Sequence, residues 1–140
     1  MARGEPAAFG GSVELIRAAA ERGPVGLCSG ARRHEIEPIL RRLGVVECFG
    51  AIVTADDVAV AKPDPAGYAL TARRLGVAAD RVKGSGPVAI EDTLKGVKAA
   101  RAAGYRVVAV RHSLPDTVFD EADLVVESTA VLSVGMLLGA

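Results

Sequence analysis

Several features that would narrow this sequence at once are scarce or missing. Two cysteines, Cys28 and Cys48, are too few for a disulfide framework and have no paired metal-ligand spacing, so a reducing cytoplasm is the expected setting. Charge of either sign is not in excess: 17 basic residues balance 17 acidic ones, which argues against a nucleic-acid or anionic-membrane partner. No apolar run approaches transmembrane length, and the opening "MARGEPAAFGG" has no apolar core of signal-peptide type. There are no repeats and no low-complexity segments. No aspartate precedes Asp56. These absences leave one soluble domain over residues 1–140, half apolar and a quarter charged, long enough for a real core.

What is there alternates. Ser12 is placed to cap a helix through "VELIRAAAER" that stops at Gly23, and "VGLCS" reads as a strand. "RRHEIEPILRRLG" puts Ile36, Ile39, Leu40 and Leu43 on one helical face, with Pro38 expected to kink it or mark its first turn. "AIVTA" is a second strand. "DPAGYALTARRLG" predicts a helix with Asp64 as N-cap, Pro65 at its first position and Gly76 as its stop. "AADRVKGSG" reads as an exposed loop before a third strand, "PVAIE". A helix over 94–103, the strands "YRVVAV" and "ADLVV", and a last helix over 129–138 complete the pattern. Apolar strands alternating with helices imply a parallel sheet covered on both faces. The strands should end near Ser29, Ala55, Glu91 and Val110.

Three strand ends carry chemistry. After "VGLC", the Ser29 hydroxyl can donate to a phosphate oxygen and Gly30 lets backbone N–H groups approach an anion. Its plainer reading is a common strand-to-helix turn. In "AKPDP", Lys62 precedes Pro63, which holds its backbone extended, and Pro65 starts a helix at once, a stiff frame suited to a fixed charge facing a phosphoryl group; a solvated surface lysine is the alternative. The third end is Glu91-Asp92. Adjacent carboxylates repel unless something cationic sits there, and ligands of open α/β sheets bind at the carboxyl ends of strands. Such oxygen donors suit Mg²⁺. Capping by Asp92 or Thr93 accounts for one acid but not for Glu91.

Taken in order, serine, lysine, then Glu-Asp, each at its own strand end, the pattern resembles the haloacid dehalogenase-like (HAD) superfamily. "GLCSGARRHEIEPILRRLG", "AKPDPAGYALTARRLG" and "VAIEDTLKGVKAARAAGYRVVAV" look like the second, third and fourth motif regions of its β-phosphoglucomutase and phosphoglycolate phosphatase branch. The likeness covers about residues 10–128. It implies a three-layer Rossmann-like parallel sheet and a Mg²⁺-dependent phosphatase or phosphomutase acting on a small phosphorylated metabolite. It also implies phosphate binding by Ser29, Gly30 and Lys62, with Ser29 and Lys62 serving catalysis, and Mg²⁺ ligation by Asp92 with Glu91 helping. Ser29, Lys62 and Asp92 should converge at one edge of the sheet.

The resemblance also exposes a gap. The family's first motif, Asp-x-Asp-Gly-Thr/Val, supplies the nucleophilic aspartate and the acid/base, and a helical cap follows it in this branch. None of this occurs in the chain. Asp56 and Asp57 do not match the nucleophile position. The family's strand bearing that motif is central, between the strand ending at Ser29 and the one ending at Glu91. Without it those two strands must pair directly, leave a groove, or accept a strand from another chain, an arrangement that invites self-association. The expectation is an enzyme-derived domain, inactive alone, that is a fragment or follows a misplaced start codon. A non-catalytic Mg²⁺- and phosphate-binding pseudo-phosphatase and one half of a split enzyme are the alternatives. An in-frame Asp-x-Asp-Gly in the coding DNA upstream of Met1 would favour the first. The substrate's identity is set by parts the chain does not contain.

Overall fold

A computed structural model describes residues 12–78, 86–111 and 119–127. The expected loop over 78–86 and the expected last helix over 129–138 fall largely or wholly outside them. The order is α1 (Ser12–Arg22), β1 (Gly26–Cys28), α2 (Arg33–Leu43), a 3-10 turn (Val46–Cys48), β2 (Ala51–Val53), α3 (Ala66–Leu75), β3 (Val88–Glu91), α4 (Leu94–Ala102), β4 (Arg106–Val110) and β5 (Leu124–Val126). Among the described residues no helix is long and apolar enough to cross a membrane.

Three helices end in the same way for the same reason. Gly44, Gly76 and Gly104 close α2, α3 and α4 with φ of 71°, 71° and 95°, a region that costs a residue with a Cβ. The residue after each glycine then reaches back across the last turn: Val45 N–H to Leu40 O, Val77 to Ala72 and Tyr105 to Ala100, at 3.0–3.1 Å. Val45 and Tyr105 are buried, so each stop also turns the chain into the core. Arg41-Arg42 and Arg73-Arg74 sit in the last turns of α2 and α3, where cations meet the negative end of the helix dipole. α2 runs unbroken through Pro38, its sixth residue, rather than starting there. In α3 the start falls one residue later than expected. Pro65 itself is the N-cap, and Asp64 supplies the capping oxygen from outside by accepting Ala66 N–H at 2.9 Å.

Among the described residues all pairings are parallel, but they fall into two sheets, β1-β2 and β3-β4-β5. Helices lie on both faces. Leu27 of β1 packs with Ile16, Ile36 and Leu40 of α1 and α2. Its neighbour Cys28 turns the other way, into a cluster with Tyr68 and Ala72 of α3, Val97 and Ala100 of α4, and Val107 and Ala109 of β4. Gly26 allows α3 to come close, since a Cβ there would lie 2.6 Å from Thr71.

Between β1 and β3 runs a cleft of about 560 Å³, walled by α1 residues (Leu15, Ile16, Ala19) on one face and α3 residues (Tyr68, Thr71, Leu75) on the other. Val25 O and Ser29 N–H bond toward β2, so the backbone groups of Gly26 and Cys28 face away from β2, toward the cleft. Pro87 O accepts Arg106 N–H from β4, which turns Val88 and Ile90 toward the cleft from the other side. Of the three arrangements open to β1 and β3, the described residues show the groove.

Candidate functional site

A single ammonium group spans the end of this cleft. Lys62 Nζ donates to Cys28 O at 3.0 Å and to Glu91 Oε2 at 2.6 Å, so it ties the last residue of β1 to the last residue of β3. The Lys62–Pro63 peptide is cis. Tyr68, one turn into α3, donates its hydroxyl to the same Glu91 oxygen, and its ring lies 5.1 Å from the ammonium, within cation–π range. Tyr68 is itself fixed by Tyr105, which donates to Tyr68 O at 2.8 Å and packs edge-on at 4.9 Å. On the remaining side is Gly96, in the first turn of α4, where a Cβ would lie 2.0 Å from Glu91 Oε1.

These contacts decide the charges. Burial pushes the Glu91 carboxyl up, but neighbouring positive charge, that of Lys62 included, and the hydrogen bonds from Lys62 and Tyr68 oppose it, and the net lies below its ordinary 4.5. Glu91 is ionised at neutral pH. Tyr68 goes the other way: burial, then the neighbouring Glu91 charge, hold it well above the ordinary phenol value, so it stays a donor. Burial also raises the Cys28 thiol, which keeps it from serving as a thiolate nucleophile.

The sequence-predicted residues surround this knot. Ser29 directly follows Cys28, and Asp92 directly follows Glu91. Five polar or charged residues are buried among those described, and Ser29, Glu91 and Asp92 are three of them. Buried polar groups away from any helix interior usually answer to one another or to a ligand. Ser29 Oγ accepts Ala31 N–H at 3.1 Å, which leaves the hydroxyl proton to be donated elsewhere. Gly30 beside it is exposed. Thr93, not Asp92, caps α4, its side chain accepting Gly96 N–H at 3.0 Å. The capping explanation for the acidic pair is therefore taken up by Thr93.

The donor chemistry here suits a hard cation. Asp92 and Glu91 offer only carboxylate oxygens, and Mg²⁺ commonly takes one or two carboxylates and completes its shell with water and substrate phosphate. No cluster of three or more acid, histidine or cysteine side chains occurs among the described residues, so a large all-protein cage is not formed there.

Two participants escape a reading of the sequence. Tyr68 looks like an ordinary core aromatic, and nothing in its spacing links it to Glu91. Gly96 did leave a signal: glycine within a helix costs up to about 1 kcal/mol against alanine, so its presence asks for a packing reason.

A haloacid dehalogenase-like hydrolase family model matches residues 2–104. Among curated relatives, the chain is 35% identical over 99 residues to the fructose-1-phosphate phosphatase YqaB of Escherichia coli, covering 71% of this chain and 50% of that protein. It is 37% identical over 106 residues to a phosphorylated carbohydrates phosphatase of Thermotoga maritima, covering 75% and 46% respectively. The chain thus spans about half the length of each of these two relatives. The crystal structure of CbbY from Rhodobacter sphaeroides in complex with phosphate superposes with a TM-score of 0.79 at 31% identity, over 92% of this chain and 58% of that one. With the ordered strand-end residues joined by Lys62 and the model match over most of its length, this chain belongs to the haloacid dehalogenase-like hydrolases.

Proposed function

We propose that these residues form the phosphate- and metal-binding half of a phosphatase or phosphomutase acting on a small phosphorylated metabolite. The observation that carries this reading is the Lys62 bridge, which gathers the ends of β1 and β3 and so brings the Ser29 and Asp92 positions to one edge. Relatives named for phosphorylated sugars support the substrate class. In this reading Ser29 Oγ–H and Gly30 N–H donate to the phosphate oxygens, and the Lys62 ammonium adds positive charge beside them. Asp92 is the direct ligand of Mg²⁺ and Glu91 assists, its main work being to hold Lys62. The cation, when bound, offsets the charge of the phosphate it faces.

The chemistry still needs a nucleophile. No Asp-x-Asp-Gly occurs in the 140 residues, and the cleft between β1 and β3 has the setting of a buried strand, with helices above and below and a strand on either side. We infer that a strand bearing the nucleophilic carboxylate occupies it, supplied by the same polypeptide or by a partner.

Hydrolysis of an aryl phosphate with Mg²⁺ tests this. General acid–base help alone gives about 10²–10⁴-fold, far short of a covalent route with an aligned acid/base. The purified chain should therefore show no turnover above its Asp92→Asn form. Robust turnover abolished by Asp92→Asn would mean that the 140 residues hold their own nucleophile. A cytoplasmic enzyme remains our reading of its location.

A further inference from the structure

Asp56 and Asp57, just after β2, take no part in the site as described, yet they are heavily engaged. Asp57 accepts Thr54 N–H at 2.8 Å and Thr54 Oγ–H at 3.1 Å, and pairs with Arg33 Nη2 at 3.3 Å. It thereby shapes its own turn. Asp56 reaches across to the neighbouring loop: its two oxygens accept Arg33 N–H at 2.9 Å and Arg32 Nη1 at 2.6 Å. The same two loops are joined by Ser29 N–H to Val53 O at 2.9 Å, Ala55 N–H to Ala31 O at 3.0 Å and Arg33 Nη2 to Ile52 O at 2.8 Å.

We propose that Asp56 is a positioning residue for anion binding, holding the loop from Ser29 to Arg33 in the shape that presents the Ser29 hydroxyl and Gly30 N–H. This rests on the phosphate reading of Ser29. Asp56 also determines where an anion does not go. Its oxygen occupies Arg33 N–H, and Glu35 Oε1 occupies Arg32 N–H at 2.9 Å, so the amides of the N-cap and of the first residue of α2 already face carboxylates of the protein itself. An incoming phosphate is left with the loop ahead of the helix. The Asp56–Arg32 pair is largely exposed, and such pairs contribute little to global stability. Its effect is local.

Amide hydrogen exchange and titration with inorganic phosphate, on the full chain, separate the outcomes. Asp56→Ala should speed exchange at residues 30–33 by about tenfold, the loss of one hydrogen bond, while β3 and β4 exchange as before. Phosphate should bind about three- to tenfold more weakly. Asp56→Asn keeps an acceptor oxygen for Arg33 N–H and should recover most of both effects. Exchange speeded throughout the chain, or a loop unchanged in Asp56→Ala, overturns the assignment while leaving the Ser29 reading to its own variant. If the loop loosens but wild type, Asp56→Ala and Ser29→Ala bind phosphate alike, the phosphate reading has failed and this inference with it.

Discussion

Replacing Gly96 with alanine sets two effects against each other. An alanine is the better helix former by up to about 1 kcal/mol, and less in the first turn where Gly96 sits. On that ground alone Gly96→Ala would stabilise. The opposing effect is steric. The new methyl would lie 2.0 Å from Glu91 Oε1, 2.2 Å from its Cδ and 2.7 Å from Oε2. A flexible carboxylate on the surface would swing aside at little cost, but Glu91 is 3% exposed and held by Lys62 and Tyr68. Overpacking of this kind costs about 1–3 kcal/mol. Driving the carboxylate off its buried partners raises the upper bound toward about 3–5 kcal/mol. The net expectation is a loss of about 1–4 kcal/mol, large against a total stability of about 5–15 kcal/mol. Urea denaturation of both proteins, followed by circular dichroism, measures it. In a Glu91→Ala background the same change should become neutral or mildly stabilising, because the obstructing carboxyl is gone. A Gly96→Ala protein as stable as wild type, or more so, would refute the packing described around Glu91.

The protein has no tryptophan and only two tyrosines, Tyr68 and Tyr105, both shifted above the ordinary value of 10.0, first by burial. Each is therefore stabilising in its protonated form, and that contribution declines as pH rises past 10.0. Phenolate absorbance should rise only together with loss of circular dichroism; early titration of one tyrosine in folded protein would contradict the Tyr68–Glu91 and Tyr105–Tyr68 bonds. On the acid side, the folded Glu91 carboxyl lies below its ordinary 4.5, so its contribution is complete above 4.5 and lost as pH falls through the folded value. Glu91→Gln should flatten the stability–pH curve below 4.5, and identical slopes would exclude an ionised buried Glu91. In calorimetric titration Mg²⁺ should bind weakly, and Asp92→Asn should weaken it more than Glu91→Gln. Equal binding by wild type and Asp92→Asn would count against Asp92 as the direct ligand.

Local structure was largely written in the chain because its causes are local. The glycines at 44, 76 and 104 end helices through their own dihedral angles, and Asp64-Pro65 starts one through chemistry within three residues. Even the one-residue displacement of that start leaves the same capping oxygen in use. The strand-end chemistry was legible as an ordered series, Ser29, Lys62, Glu91-Asp92, but not as a contact map. That Lys62 reaches both Cys28 O and Glu91 depends on how α3 and β3 pack, over separations of 34 and 29 residues. Among the described residues the sheet is divided, and the resemblance pointed to the place of that division without choosing among its three consequences. For Asp56 and Asp57 the sequence said only that they do not match the nucleophile position, because their partners, Arg32 and Arg33, lie over twenty residues upstream.

The divided sheet bears on how the domain holds together as a cooperative unit. A continuous ladder passes order from strand to strand through the backbone, irrespective of side chains. Among the described residues no such ladder joins β1 to β3. The β1-β2 half instead meets the other half through α3 lying on β1, β2 and α4, through α4 on β3 and β4, and through the Lys62 bridge. Communication between the halves therefore runs through side chains, and each joint is open to change by a single substitution. A strand bound in the cleft would hydrogen-bond to both edges and add a continuous backbone ladder across the two halves. In that sense the element that completes the chemistry would also make the fold a single cooperative body.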